Sequence, residues 1–114
     1  MTRFPRACAE ALEAHLDASV FKALCDPNRL ALVARLATSA GTMNVSEASE
    51  CCGVHISGTS RHLAMLKAAG IVAAERRGRE VRYRLQTEHL VSLLRGLADS
   101  LEACCRVTEE DDDD

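Results

Sequence analysis

Helical spacing of apolar residues is the main pattern in the first third of the chain. Between Cys8 and Ser19 apolar positions recur every three or four residues, which predicts a first amphipathic helix. Asp26 stands directly before Pro27. An N-cap residue followed by proline at the first helical position is a typical helix start. This pattern predicts a second helix from Pro27 to about Thr38.

Two further helices are predicted on either side of a glycine. Residues Ser46–Cys52 favour a short helix that Gly53 ends. Ser57 can cap the next helix, which should continue to Ala69, end at Gly70 and bury Leu63 and Leu66, with Ile56 as a further core candidate. A short helix, a tight turn and a second helix whose first turns carry Ser, Thr, Arg and His are typical of a helix-turn-helix, in which the second helix enters the major groove of DNA.

The next segment predicts a β-hairpin. Residues Ile71–Leu85 contain two β-prone runs around the tip Arg77-Gly78-Arg79. In the second run apolar residues alternate with arginines, so one face is apolar and the other basic. Beside a helix-turn-helix such a hairpin is a wing, whose arginines can follow a phosphate backbone or enter a minor groove. The expected fold is mainly α with a β-hairpin wing, a winged helix-turn-helix.

A long apolar stripe marks the end of the chain. The final helix is expected from Thr87 to about Cys105, and its apolar residues are Leu90, Leu93, Leu94, Leu97, Ala98 and Leu101. Because a small winged domain cannot cover all of them, we expect a homodimer through the first and last helices. The predicted domain comprises residues 1–105, and the acidic residues 106–114 are expected to form a disordered tail.

Composition and charge favour a nucleic-acid partner. The 114 residues suffice for one compact domain, and three aromatic residues without Trp disfavour single-strand binding by base stacking. The formal net charge is −3, but the segment from Arg61 to Arg84 has +5 and the remainder −8. Such concentrated positive charge favours double-stranded DNA. The candidate DNA-contacting residues are Ser57, Thr59, Ser60, Arg61 and His62 in the motif's second helix and Arg76, Arg77, Arg79 and Arg82 in the hairpin.

Six cysteines call for a chemical explanation. No apolar run reaches the length of a membrane helix, and the N-terminal residues lack the apolar segment of a signal peptide. A cytoplasmic protein with no membrane association is therefore expected. In that compartment cysteines indicate reduced thiols for metal or redox chemistry rather than a disulfide framework.

Three stretches of the chain resemble the ArsR/SmtB repressors of bacteria. They are residues 23–30 (ALCDPNRL), 60–72 (SRHLAMLKAAGIV) and 77–83 (RGREVRY), and the similarity extends from Phe21 to Leu101. The resemblance implies a homodimeric winged helix-turn-helix protein. It also implies that the protein binds operator DNA and represses transcription until an inducer, commonly a thiophilic metal or metalloid ion, lowers its affinity for DNA.

The cysteine positions suggest where such an ion could bind. Cys51 and Cys52 end the short helix before the reading helix, and Cys104 and Cys105 lie near the end of the final helix. Adjacent helical residues project about 100° apart, so two pairs brought together, from one subunit or two, make a better site than one pair. Thiolates select soft ions, so As(III) or Hg(II) is the expected inducer, with Sb(III), Cd(II) and Pb(II) as alternatives. Cys8 is an additional candidate ligand.

Other cysteine and histidine residues are expected to have ordinary roles. Cys25 should pack as a small hydrophobe, and His55 should be a turn residue. The family's Cys-Val-Cys signature is absent from the short helix. His89 and Asp99 lack the partners of the family's other metal site, which disfavours a Zn(II) or Ni(II) sensor there.

Two other functional classes are considered. The main alternative is a thiol-based redox or persulfide-sensing repressor on the same scaffold, in which cysteines form disulfides or persulfides. An enzyme is disfavoured, because the sequence has no Cys-x-x-Cys motif, nucleotide-binding loop or Ser/His/Asp arrangement.

Overall fold

The computed structural model describes residues 10, 12–13, 16–39 and 41–112, without the side chains at 51–52 and 105–112. In chain order the elements are α1 (Ala18–Leu24), α2 (Pro27–Thr38), α3 (Val45–Cys52), α4 (Ile56–Ala68), β1 (Val72–Arg77), β2 (Glu80–Leu85) and α5 (Thr87–Asp112). They fall into two compact units. Residues 18–87 form one unit, and nearly all of α5 belongs to the other. The predicted class, mainly helical with one antiparallel hairpin, is confirmed.

Side-chain caps explain where the first helices begin. A carboxylate oxygen of Asp26 accepts hydrogen bonds from the backbone N–H groups of Asn28 at 2.8 Å and Arg29 at 3.2 Å, as the sequence predicted for the start of α2. The short helix α3 begins one residue earlier than expected, because Asn44 is its cap. Asn44 and Glu47 form a reciprocal capping box.

The two helices of the motif meet at a glycine turn. Gly53 ends α3 with a φ of 65°, a left-handed conformation that favours glycine. Helix α4 then begins at Ile56 and packs against α3. Its cap is His55, so the expectation that Ser57 caps this helix and that His55 has only a turn role was wrong. The helix-turn-helix pattern itself is present.

The core of the first unit lies where α2, α4 and the start of the hairpin meet. Leu63 and Leu66 of α4 are fully buried, as predicted, and Leu32, Ile71 and Val72 are at most 2% exposed. Burying a side chain of this size stabilises the fold by roughly 1.5–3 kcal/mol. Ile56, which the periodicity also assigned to the core, is instead 52% exposed. These contacts fix the position of α4 in this unit.

The predicted wing forms as an antiparallel hairpin. Val72 pairs with Leu85 at its base and Arg77 with Glu80 at its tip, where Gly78 has a φ of 67°. The hairpin is also joined to the loop before α3. Met43 and Tyr83 exchange two backbone hydrogen bonds, of 2.9 and 2.8 Å. The wing is therefore attached to the helix-turn-helix by main-chain pairing.

The last helix is longer than expected. Helix α5 continues to Asp112, so residues 106–112 are helical and not a disordered tail. The predicted first helix falls largely outside the described residues; residues 10, 12 and 13 are helical, and α1 begins separately at Ala18. Val91, Leu94 and Leu101 of α5 are 41%, 41% and 52% exposed. Within the described residues no helix is both long and apolar enough to cross a membrane.

Candidate nucleic-acid interface

The first turns of α4 present polar side chains to solvent. Ser57, Ser60 and Arg61 are exposed, as expected for residues that contact DNA. Nδ1 of His55 accepts a hydrogen bond from the backbone N–H of Ser57 at 3.2 Å and lies 2.9 Å from its Oγ. This contact requires an unprotonated Nδ1, because a protonated ring nitrogen cannot accept. His55 thus fixes the end of the helix from which Ser60 and Arg61 project.

Thr59 does not belong to this surface. Its side chain is fully buried, and its hydroxyl lies 3.4 Å from the backbone carbonyl oxygen of Val54, to which it donates. The prediction that Thr59 contacts DNA was wrong. A helix in a groove exposes only part of its circumference, and Thr59 lies on the face that Leu63 and Leu66 share.

His62 is half-buried and is held by α2. Its Nδ1 lies 3.3 Å from Nη1 of Arg29. Arg29 also donates hydrogen bonds to the backbone carbonyl oxygens of Ala23 and Lys22, near the end of α1. His62 was predicted to contact DNA or to pack beneath it; it lies against Arg29 of α2 here, and its contact with DNA stays a prediction. Arg29 was not among the predicted functional residues, because its partners on α1 and α4 lie six to 36 positions away in the chain.

A capping network lowers the pKa of Asp26. Partial desolvation alone raises this pKa, but hydrogen bonds from the backbone N–H groups of Arg29 and Asn28 outweigh it, and the pKa lies below its ordinary value. The ionised carboxylate is therefore the favoured form at the start of α2.

The arginines near the hairpin tip are accessible. Arg76, Arg77 and Arg79 are all exposed, in agreement with a role in contacting phosphates. Arg77 has an ion pair with Glu75 at 3.3 Å, but both side chains are more than half exposed. Such a pair contributes little to stability and can exchange for a phosphate contact.

Arg82, in contrast, is largely buried against other residues of the protein. Its side chain is 20% exposed, and its guanidinium contacts Glu80 at 3.1 Å and Glu47 at 3.0 Å. It also donates to the hydroxyl of Thr42 at 2.6 Å and to that residue's carbonyl oxygen at 2.8 Å. The hydrogen bond with Glu80 raises the pKa of Arg82. The expected phosphate contact by Arg82 is therefore corrected: its donors already have partners in the protein.

Glu80 completes this network. Its carboxylate accepts hydrogen bonds from Asn44 and Arg82, and these two contacts lower its pKa. Asn44, Glu47 and Glu80 were not among the predicted functional residues. The capping spacing from Asn44 to Glu47 could have been detected in the sequence, but their contacts with the hairpin span more than 30 positions.

The cysteines are only partly described. Cys25 is free and exposed, contrary to the expected packing role. Cys104 is 4% exposed and disulfide-bonded, so the expected reduced thiol is not what the structure contains there. Cys8 and the side chains of Cys51, Cys52 and Cys105 lie outside the described parts. Within those parts, no three His, Cys, Asp or Glu side chains are grouped closely enough to hold a metal ion.

Comparisons with known proteins agree with this architecture. A family model described as a helix-turn-helix domain matches residues 24–75. The HTH-type transcriptional repressor SmtB of Mycobacterium tuberculosis is 42% identical over 81 residues, covering 69% of this chain and 58% of SmtB. The HTH-type transcriptional regulator NmtR of the same organism is 32% identical over 90 residues, covering 79% of this chain and 73% of NmtR. The chain thus spans less than two thirds of SmtB.

A solved structure with a similar fold comes from Mycobacterium bovis. It is a homodimeric winged helix-turn-helix DNA-binding domain described as a possible ArsR-family transcriptional regulator. The two chains are 30% identical with a TM-score of 0.60, and the match covers 87% of this chain and 91% of that one. The matched proteins are regulators and not enzymes, as the sequence predicted. The chain therefore belongs to the ArsR/SmtB family of winged helix-turn-helix transcriptional regulators.

Proposed function

We propose that the protein is a repressor that binds double-stranded operator DNA. Helix α4 enters the major groove, and the hairpin contacts the neighbouring backbone or minor groove. The observation that carries this proposal is the exposure of Ser60 and Arg61 at the start of α4, in the same compact unit as the exposed wing residues Arg76 and Arg79. Serine and arginine at a helix start can contact base edges, and wing arginines neutralise phosphates.

In this proposal a second copy of the chain covers the exposed apolar face of α5. Val91, Leu94 and Leu101 are all exposed, and spacings of three and seven residues place them along one helix face. Exposed apolar faces of this kind usually mark a protein interface. The homodimeric state of the similar DNA-binding domain from Mycobacterium bovis supports the same arrangement.

Footprinting tests both parts of this proposal. The purified protein is first used to select a DNA duplex from a random-sequence library. This selected duplex is then cleaved by hydroxyl radicals with and without protein. A two-fold dimer should protect two half-sites whose centres are about 34–36 Å apart, or a multiple of that distance. A single protected site would contradict the dimer. The absence of any discrete protection would contradict operator binding.

We propose oxidation of cysteine thiols as a releasing signal, which the disulfide-bonded state of Cys104 supports. A sulfur in a disulfide is not a thiolate, so Cys104 in this state does not fit the predicted ligand set for a soft ion. In the proposed reaction two thiols and one hydrogen peroxide give one disulfide and two waters. The soft-ion hypothesis, with As(III) or Hg(II) on Cys51, Cys52, Cys104 and Cys105, stays a prediction for the reduced protein.

One titration separates the two signals. Reduced protein on the selected duplex is treated with hydrogen peroxide or polysulfide, and in parallel with As(III), Sb(III), Hg(II), Cd(II), Pb(II) and Zn(II). Oxidation should weaken DNA binding about 5–150-fold, the usual range of allosteric coupling. Cys104→Ser should abolish this effect, and Cys25→Ser, at the free exposed cysteine, should preserve it. Release by a soft ion alone would favour the metal hypothesis.

A further inference from the structure

Arg82 differs from Arg79 and the other arginines near the hairpin tip in the number of protein groups that its guanidinium contacts. Its Nη1 contacts Glu80, its Nη2 contacts Glu47 and the carbonyl oxygen of Thr42, and its Nε donates to the Thr42 hydroxyl. Every nitrogen of the guanidinium therefore has a partner in the protein. By contrast, Arg79 at the hairpin tip is exposed.

The partners of Arg82 belong to the start of α3. Glu47 is the third residue of that helix and forms the capping box with Asn44, whose side-chain amide also donates to Glu80. Thr42 lies just before this box, next to the Met43 and Tyr83 backbone pair. One network thus caps α3 and binds the second strand of the hairpin.

We propose that Arg82 is a positioning residue that fixes the wing relative to the helix-turn-helix and thereby contributes to the recognition of one DNA sequence over others. This inference rests on the proposed operator binding. Among the described residues, the hydrogen bonds that join the hairpin to the start of α3 are the backbone pairing of Met43 with Tyr83 and the side-chain network around Arg82. Arginine suits this role, because its planar fork contacts several acceptors at once in fixed geometry.

A phosphate contact and a positioning role predict different dependence on salt. A phosphate contact releases a counterion, so its loss reduces the slope of log affinity against log salt concentration by about one. The charge of Arg82 is already offset by Glu47 and Glu80, at 3.0 and 3.1 Å. Removing Arg82 should therefore change the fit to one sequence without changing the number of phosphates neutralised.

The test compares Arg82→Gln with Arg79→Ala on the selected duplex and on a scrambled duplex of the same composition. Arg82→Gln should weaken binding to the selected duplex about tenfold or more, a loss similar to one mismatched base pair. Its binding to the scrambled duplex should change by no more than about twofold, with an unchanged salt slope on both. Arg79→Ala should weaken both complexes and lower both slopes.

Additional measurements separate positioning from general loss of structure. Amide exchange at Met43 and Tyr83 should accelerate in Arg82→Gln while Leu63 stays protected, since that residue lies in the core. Glu47→Gln removes the charge of one partner of Arg82 and leaves Glu80 in place, so it provides the test if Arg82→Gln does not fold. Arg82→Lys should restore only part of the sequence preference.

Two results would overturn the inference. One is a salt slope in Arg82→Gln that falls by about one per subunit, which would make Arg82 a phosphate contact. The other is an unchanged preference for the selected duplex in a folded variant. If the wild-type protein itself shows no preference between the two duplexes, the proposed operator binding fails, and this outcome is distinct from either result on Arg82.

Discussion

Nη1 of Arg29 lies 3.3 Å from Nδ1 of His62, so a side chain of α2 contacts the middle of the reading helix α4. The same guanidinium donates to the carbonyl oxygens of Ala23 and Lys22 at the end of α1. The Arg29 side chain is only 11% exposed. Three helices of the first unit therefore meet at one arginine, which supports the helix that we assign to the major groove.

Arg29→Lys should destabilise this unit although it keeps the positive charge. Lysine has one nitrogen and cannot reach His62 and both carbonyl oxygens together, which leaves half-buried acceptors without donors. We expect a loss of about 1–3 kcal/mol in the free energy of unfolding, measured by chemical denaturation. Arg35→Lys, at an exposed arginine of the same helix, should change it by less than about 0.5 kcal/mol. Equal effects of the two substitutions would contradict this role.

Arg79→Ala tests the wing as a phosphate-binding element. Removing one exposed arginine at the hairpin tip should weaken DNA binding and lower the salt slope by about one per bound subunit. The slope is measured by fluorescence anisotropy between low and physiological salt. Arg95→Ala, at an exposed arginine of α5, is the control and should leave the slope unchanged. A slope that does not move in Arg79→Ala would remove the wing tip from the interface.

Ser49→Ala should stabilise the protein. The hydroxyl of Ser49 is buried and has no hydrogen-bond partner in the described structure, while the residue as a whole is 8% exposed. Replacing an unsatisfied buried hydroxyl by a methyl group removes a desolvation penalty, with an expected gain of about 1 kcal/mol in the free energy of unfolding. Ser46→Ala, on the exposed side of α3, should have little effect. A lower thermal midpoint for Ser49→Ala would indicate that the hydroxyl has a partner.

Glu80→Gln should reduce stability at neutral pH but not in acid. Hydrogen bonds from Asn44 and Arg82 lower the pKa of Glu80 below its ordinary value of 4.5, so the contribution of the carboxylate is present above that pH and is lost as the pH falls through the lowered pKa. Thermal melts from pH 7 to pH 3 should show wild type and variant converging below about pH 4.5. A constant difference across this range would contradict the assignment. Glu102→Gln, on α5, is the control.

Local patterns predicted most of the fold correctly. Asp26 before Pro27 predicted the start of α2 correctly, because a cap and a helix-start proline act within one turn. The alternation around Gly78 predicted both strands, since cross-strand pairing in a hairpin is local. Helix α1 was missed because its seven residues are too short to show a clear period.

The assignments that failed depend on contacts that are distant in the chain. Thr59 and Arg82 have the residue types that DNA-binding surfaces use, and composition alone cannot separate them from Ser60 and Arg79. Packing of α4 against the core buries Thr59, and Thr42 and Glu47, more than 30 positions away, engage Arg82. Only the folded arrangement shows which arginines remain accessible.

The most direct test of the account is the ratio between the affinities of the reduced wild-type protein for the selected duplex and for its scrambled counterpart at physiological salt. We predict a ratio of at least about 10³, the lower end for sequence-specific DNA-binding proteins, and a marked reduction in Arg61→Ala. Equal affinities for the two duplexes, in a protein that is folded and reduced, would contradict the assignment of α4 and the hairpin as an operator-reading surface.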